Sequence, residues 1–426
     1  KTEGKADVRV NYTEHKLKNG LRVILSENHN APVVAIAVNY NVGSRNERNG
    51  RTGFAHLFEH MMFQGSENVG KSEHFILIQN NGGEMNGTTN TDRTIYYEVL
   101  PSNQLDLMLF LESDRMKSLD ISQANLDNQR NAVQEERRLG VDNQPYGAAF
   151  EKWETSIYDN FAYKHSVIGS MEDLNAANVE DVRSFFRTYY APNNAVLALV
   201  GDFNSADALA RIKKAFENIP AQPAPPPVDV TEPEQKAERR LKEEDALAQV
   251  PLVLVGYKGN FFNTPDEDAL QVLDSVLTDG KSSRLYQKLV KETQVCLQAG
   301  GGLDTTHRGP GAYSLQLVVA PGKKTEEAEA LAYAEIARLQ KEPIADWELE
   351  KAKNSFRASF IRSKQNAMGV AIALAEAAIA YGSPEEMNKA IMKMEKVTKE
   401  DVMRVAKKYL NENSRTVAVI LPAQKK

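Results

Sequence analysis

Residues 180–200 read Glu-Asp-Val-Arg-Ser-Phe-Phe-Arg-Thr-Tyr-Tyr-Ala-Pro-Asn-Asn-Ala-Val-Leu-Ala-Leu-Val. A helical period stops at a tyrosine, breaks over an Asn-rich turn and continues as an apolar strand. The pattern returns 220 residues on, where Glu180-Asp181-Val182 falls on Glu400-Asp401-Val402, Tyr189 on Tyr409, and residues 196–200 on 416–420. A helix, a break and a strand repeated in one register without a gap imply a tandem duplication.

The rest of the chain fits two such units. At 426 residues, with 42% apolar and 26% charged, it exceeds a single small core. The run Ala221-Gln222-Pro223-Ala224-Pro225-Pro226-Pro227, followed by a charged stretch over 232–244, reads as a semi-rigid linker. Domains are therefore predicted over 1–230 and 231–426. Alternation predicts strands over 20–26, 33–42 and 94–99, and helical periodicity predicts helices over 52–64, 72–81, 103–118 and 122–138. The fold class is α+β: two homologous domains, each a mostly antiparallel or mixed sheet with helices packed on one face.

Composition excludes several classes. A net charge of −6, spread over 52 basic and 58 acidic side chains, leaves no basic stripe for nucleic acid. The longest apolar runs, such as 195–200, have the length of buried strands, and no membrane span is predicted. One cysteine, Cys296, excludes an internal disulfide framework and a Cys-based metal site; the strand-like run 294–299 makes it a small core residue. The opening Lys1-Thr2-Glu3-Gly4 has no Met and is expected from a mature form after signal-peptide removal or from an expression fragment. Periplasmic localisation is the corresponding expectation, with cytoplasm or mitochondrial matrix as alternatives.

Chemistry concentrates in Gly53-Phe54-Ala55-His56-Leu57-Phe58-Glu59-His60-Met61-Met62-Phe63. On a mostly buried helix, His56 and His60 stand one turn apart on one face, and Glu59 lies beside them. Two imidazoles can then grip one ion while a carboxylate stands next to it. Two histidines leave zinc short of its usual three protein ligands, so another group must come from elsewhere. On the helix over 122–138, Glu136 shares the side of Leu126 and Val133 while Glu135 points away. From spacing alone Glu136 is equally an ordinary solvated glutamate in a last turn.

The repeat adds an independent argument. Aligning Gln64-Gly65 with Asp279-Gly280 places Gln271, Asp274 and Ser275 at the positions of His56, Glu59 and His60, while Leu57, Phe58, Met61 and Met62 face Val272, Leu273, Val276 and Leu277. Packing needs would be shared by both copies; the histidines are not shared, so they read as function on a common scaffold.

These features together resemble the pitrilysin/insulinase family of inverted zincins, in its mitochondrial-processing-peptidase-like branch. The resemblance rests on Lys18-Asn19-Gly20-Leu21-Arg22-Val23, Val42-Gly43-Ser44-Arg45-Asn46-Glu47, the His56 helix, Gly82-Gly83-Glu84-Met85-Asn86, Thr94-Ile95-Tyr96-Tyr97, Tyr189-Tyr190-Ala191-Pro192-Asn193-Asn194 and Ser282-Ser283-Arg284-Leu285-Tyr286. It implies one Zn2+ per chain held by His56, His60 and Glu136, with Glu59 as catalytic base. Gln129 falls where relatives carry a carboxylate that orients a ligand, and its amide is expected on His60 or Glu136. The stretch 82–89 forms the sheet edge to which the family adds peptide substrate as a strand, so Asn86 and Gly87 should meet the substrate backbone. The loop from Asp304 to Tyr313 offers Arg308 and Tyr313 as possible substrate-holding groups.

The expected activity is hydrolysis of internal bonds in peptides or unfolded polypeptides held as an added strand in a chamber. Such a chamber takes two subunits of this size, so a homologous partner is implied, as a homodimer or as a heterodimer with a zinc-less chain. The short Asp279-Gly280-Lys281 turn differs from the glycine-rich loop of the processing peptidase's non-catalytic subunit and points to the catalytic type. The alternative function is a non-catalytic structural or peptide-binding subunit of a larger complex.

Overall fold

The computed structural model describes residues 9–423, so Lys1-Thr2-Glu3-Gly4 lie outside the described residues. In chain order the strands are β1 (Thr13–Lys16), β2 (Arg22–Glu27), β3 (Val33–Tyr40), β4 (Glu84–Thr89), β5 (Thr94–Pro101), β6 (Ala195–Gly201), β7 (Arg239–Asp245), β8 (Leu252–Gly259), β9 (Cys296–Leu303), β10 (Gly311–Val319) and β11 (Arg415–Pro422). The helices of the first half are α1 (Phe54–Met61), α2 (Glu73–Asn80), α3 (Leu105–Lys117), α4 (Gln123–Arg137), α5 (Gly147–Ser156), α6 (Met171–Ala176), α7 (Val179–Tyr189) and α8 (Ser205–Phe216). Those of the second are α9 (Pro265–Leu277), α10 (Thr325–Lys341), α11 (Asp346–Ser363), α12 (Ala367–Ala380), α13 (Glu385–Lys396) and α14 (Lys399–Tyr409). Among the described residues no single helix is long and apolar enough to cross a membrane.

The chain forms two compact units. One holds residues up to Gln134, Val167–Val228 and Ser359–Ala390; the other holds Glu135–Ser166, Asp229–Ala358 and the residues from Ile391. Their sheets run β1-β2-β6-β3-β5-β4 and β7-β11-β8-β10-β9. In each, the first strand of the repeat pairs in parallel with the last, β2 with β6 and β7 with β11, and the other neighbours are antiparallel. Apart from β1 the strand orders match one for one, and α7 with β6 precede α14 with β11 by the 220 residues of the repeat. The fold is a duplicated sheet-plus-helix domain.

The central strands are buried on both faces. In β3, Val34, Ile36 and Val38 alternate with Ala35 and Ala37, large apolar against small apolar rather than apolar against polar. The large side packs on α1 and α3 through Leu57, Phe58, Met61 and Met108. The small side, with Val196, Ala198 and Val200 of β6, is covered by Ala371, Leu374, Ala375 and Ala378 of α12. α12 reads Ala-Met-Gly-Val-Ala-Ile-Ala-Leu-Ala-Glu-Ala-Ala-Ile-Ala, apolar almost all round, so it has no face to give to water. Thus the first sheet is capped by a helix from the far half of the sequence.

The second sheet receives a helix in return. α5 sets Trp153 and Ile157 against Leu252, Leu254, Ala418 and Ile420. The Trp153 Nε1–H donates to the Thr416 carbonyl at 2.9 Å. Gly256 makes room for them, since a Cβ there would lie 2.6 Å from Ile157 Cδ1. Part of the charged stretch predicted as linker is the edge strand β7, whose side chains alternate between half-buried and exposed. A charged edge strand resists pairing with other chains.

Between α2, β5 and α3 the first unit buries four polar side chains. Arg115 Nε donates to Glu112 Oε2 at 3.0 Å and its guanidinium lies 4.5 Å over the Tyr96 ring. His74 Nε2 sits 3.1 Å from Glu98 Oε2. Burial pushes the Glu98 carboxyl up to about 8, against the pull of Arg115. Burial, aided by Arg115, pushes His74 down to about 3. At neutral pH Glu98 therefore keeps its proton, His74 is neutral, and a hydrogen bond joins the two.

This packing makes two outcomes measurable. Leu374→Ala should cost about 2–5 kcal/mol and, in hydrogen exchange, should deprotect β3 and β6 while leaving β8 and β10 unchanged. Loss confined to the second sheet would contradict the exchange of helices. From its ordinary value of 4.5 up to about 8 the folded chain keeps a Glu98 proton that the unfolded chain has lost, so this group lowers stability as pH rises, unopposed by His74 only above 6.5. His74 acts oppositely at lower pH, from about 3 up to about 6.5. In Glu98→Gln the decline of Tm across pH 6.5–8 should flatten; an unchanged slope in thermal melts would count against the neutral carboxyl.

Candidate metal centre

The helix α1 has eight residues, too short to hold its position by its own hydrogen bonds. Tertiary contacts hold it. The Glu47 carboxylate accepts from the N–H groups of Gly53 at 2.9 Å and Ala55 at 2.7 Å, satisfying two orphan donors at the positive end of the helix. Gly53 is left-handed at φ 83°, and Gly169 packs so closely that a Cβ on it would lie 2.5 Å from Gly53 Cα. Only glycines fit this crossing. Leu57, Phe58 and Met61 bury the opposite face in the core.

This leaves His56 and His60 half-buried at the outer face, with ring centroids 4.8 Å apart and planes at 75°. One ligand atom each from His56, His60 and Glu136 lie within 4.8 Å of one another. Glu136 is carried by the unbroken helix α4, whose first twelve residues belong to the unit of α1. The neighbouring Arg137 is gripped by both oxygens of Glu151 at 2.7 Å, which anchors that end of the helix. Burial and the adjacent His60 imidazole push His56 down to about 4, so at neutral pH its nitrogen lone pair is available. Two imidazole nitrogens and a carboxylate oxygen suit zinc, and three protein ligands leave a coordination position open. The donor set fits the ion that the sequence implies.

Glu59 is buried beside this trio, 9% exposed, and its Oε2 accepts from Thr89 Oγ1 at 2.6 Å. β4 passes alongside, and Gly87 lacks the side chain that would crowd the base: a Cβ there would lie 3.2 Å from Glu59 Cγ. β4 ends its sheet and pairs with β5 alone among the described strands. Asn86 lies within this strand, exposed, and its Oδ1 accepts from the Gly87 N–H at 2.9 Å.

Two other predicted residues fall differently. Gln129 is buried, and its amide donates to Asn128 Oδ1 at 2.8 Å rather than to His60 or Glu136. Tyr313 is not a loop residue; it lies inside β10, fully buried, and its hydroxyl donates to Asp274 Oδ1 at 3.1 Å. The loop is shorter than expected because the alternation of 311–319 already belongs to a strand. Arg308 does lie in that loop, half-buried. Asp274, the counterpart of Glu59, also accepts from Thr278 Oγ1 and serves the core of its unit. Sequence reasoning passed over Glu47 and Thr89, although both stand in or beside the quoted motifs; their roles need the fold to bring them to α1.

A second group of possible ligands, His74, Glu98 and Glu112, is fully enclosed. There Arg115 already neutralises Glu112 and Glu98 holds a proton, so the group forms an ion-pair network that needs no metal.

Comparison with known proteins places these observations. Residues 22–170 match the family model described as insulinase (peptidase family M16), and residues 176–356 match the model described as peptidase M16 inactive domain. The zinc protease PqqE of Helicobacter pylori is 30% identical over 413 residues, covering 95% of this chain and 92% of that protein. A probable mitochondrial-processing peptidase subunit beta of Arabidopsis thaliana is 22% identical, covering 96% of this chain and 78% of the relative. The crystal structure of a protease from Helicobacter pylori superposes with a TM-score of 0.92 at 29% identity, covering 97% of this chain and 99% of that one.

Proposed function

The chain belongs to the insulinase family, peptidase family M16, and on that footing we propose that it is a zinc-dependent endopeptidase with Glu59 as base and His56, His60 and Glu136 as metal ligands. The observation that carries this reading is the convergence of those three ligand atoms within 4.8 Å, with a buried carboxylate alongside. Residues 176–356 match the model of the inactive domain, and within them Gln271, Asp274 and Ser275 stand at the corresponding positions.

The chemistry follows from the residues in place. A zinc ion held by the trio would polarise the scissile carbonyl and make a water acidic enough to attack near neutral pH. His56 and His60 orient that centre by standing one turn apart on a helix that its cap and glycine crossing immobilise. The Glu59 carboxylate takes the proton of the attacking water and delivers it to the leaving amine. The free edge of β4 receives the substrate as an extra strand, with Asn86 and Gly87 along its backbone, so recognition is by main chain and side-chain choice is loose. Peptides and unfolded polypeptides are the corresponding substrates.

We also propose a homologous partner that completes the chamber, a second copy or a zinc-less relative. The support is the subunit designation of the Arabidopsis relative, which names a protein that works in an assembly. Arg308, at the half-buried loop of the second unit, is the remaining candidate for holding substrate. The proposed location is the periplasm, which a chain with one buried cysteine tolerates.

The test uses an unstructured peptide of about 10–20 residues, long enough to pair along one strand, and the purified zinc-loaded chain. Hydrolysis should stop with a chelator. Glu59→Gln should keep its zinc and lose roughly 10²–10⁴ in kcat, whereas near-normal turnover would remove Glu59 from the mechanism. Glu136→Gln should lose zinc on dialysis; full occupancy after dialysis would exclude it as a ligand.

A further inference from the structure

We propose that Thr89 is a positioning residue that sets the rotamer of Glu59, so that the strand receiving the substrate also aims the base; this rests on the peptidase reading above. Glu59 extends from α1 toward β4, where Gly87 and Thr89 stand two residues apart and point to the same face of the strand. They act on it in complementary ways. Gly87 leaves the volume that Glu59 Cγ approaches, and Thr89 Oγ1 donates to Glu59 Oε2 at 2.6 Å.

The direction of that hydrogen bond is settled locally. A hydroxyl has one proton. Thr94 Oγ1, 3.3 Å from Thr89 Oγ1, gives its own proton to the Val42 carbonyl at 2.9 Å. It can only accept from Thr89, at a longer distance than the carboxylate, and a charged acceptor at 2.6 Å outcompetes it. Thr89 therefore directs its proton at Oε2 and holds that oxygen of the carboxylate in place. Thr94 lies opposite Thr89 in the β4–β5 register, so the donor is fixed to the second strand of the sheet as well as to the edge. Positioning at this contact is independent of metal retention, because none of the three ligands is touched.

The test compares Thr89→Val and Thr89→Ser with the wild-type, zinc-loaded chain. Valine keeps the β-branched shape that suits a strand but cannot donate; serine keeps the donor. Thr89→Val is expected to lower kcat roughly 10–100-fold, the effect of losing a hydrogen bond to a charged group, with KM, zinc content and Tm near wild type. Thr89→Ser should recover most of the lost kcat. Crystal structures supply a readout apart from activity: the Glu59 carboxylate should leave its place in the valine variant and keep it in the serine variant. Wild-type kcat or an unmoved Glu59 in Thr89→Val would overturn the inference, as would a loss of zinc or an effect on KM alone. If the wild type cleaves nothing, or Glu59→Gln cleaves as well as wild type, the peptidase reading itself fails and the inference falls with it. A dead Glu59→Gln beside a fully active Thr89→Val fails this inference alone.

Discussion

A carboxylate buried next to two imidazoles on an eight-residue helix is the arrangement on which the rest of this structure depends. Such a helix cannot hold itself together in water, and a buried charge without a partner costs several kcal/mol, on the order of 3–5 when a pair is broken. The fold answers both demands from outside the helix. Glu47 closes its N-terminus, the Gly53–Gly169 crossing fixes its height, the aromatic and aliphatic face locks its rotation, and Thr89 receives the carboxylate. Each contact comes from a different segment, so the placing of this helix is a property of the unit and not of the motif.

The floor beneath that helix is rigid because both of its faces are dry. Alternation of large and small apolar side chains in β3 leaves a flat alanine surface on the far side, and α12 lies on it with its own alanines. The second sheet is closed in the same way by α5, anchored through Trp153. Each sheet is thus completed by a helix from the other half of the sequence, which couples the stability of the two halves. A chain cut at the proline-rich segment would leave both sheets with an exposed apolar face.

Duplication explains what the second unit is for. Its strand order repeats the first, and α9 keeps the apolar frame of α1, but the position of Glu59 holds Asp274, engaged by Thr278 and Tyr313. Partial burial raises the Asp274 carboxyl above its usual range. The second unit therefore retains the architecture while its carboxylate serves packing. Cys296, pushed up to about 12 by burial, is likewise an inert core thiol at the start of β9.

Some of this is legible from residues alone. Periodicities of 3.6 and 2 are local, so the helices around His56 and Glu136, the strands at 33 and 94 and the 220-residue repeat are all visible in the order of the amino acids. The spacing of His56, Glu59 and His60 likewise fixes their relation, because one helical turn does so wherever the helix lies. Relations between distant segments are beyond such local signals. Gln129 stands at the right heptad position, yet its amide turns to Asn128; Tyr313 reads as a loop residue, yet its alternation continues into β10. That α12 covers the first sheet, that Glu47 caps α1 and that Thr89 meets Glu59 was decided only by tertiary structure. These contacts join residues 8 to more than 300 positions apart, and which faces meet across such separations depends on how a whole core closes.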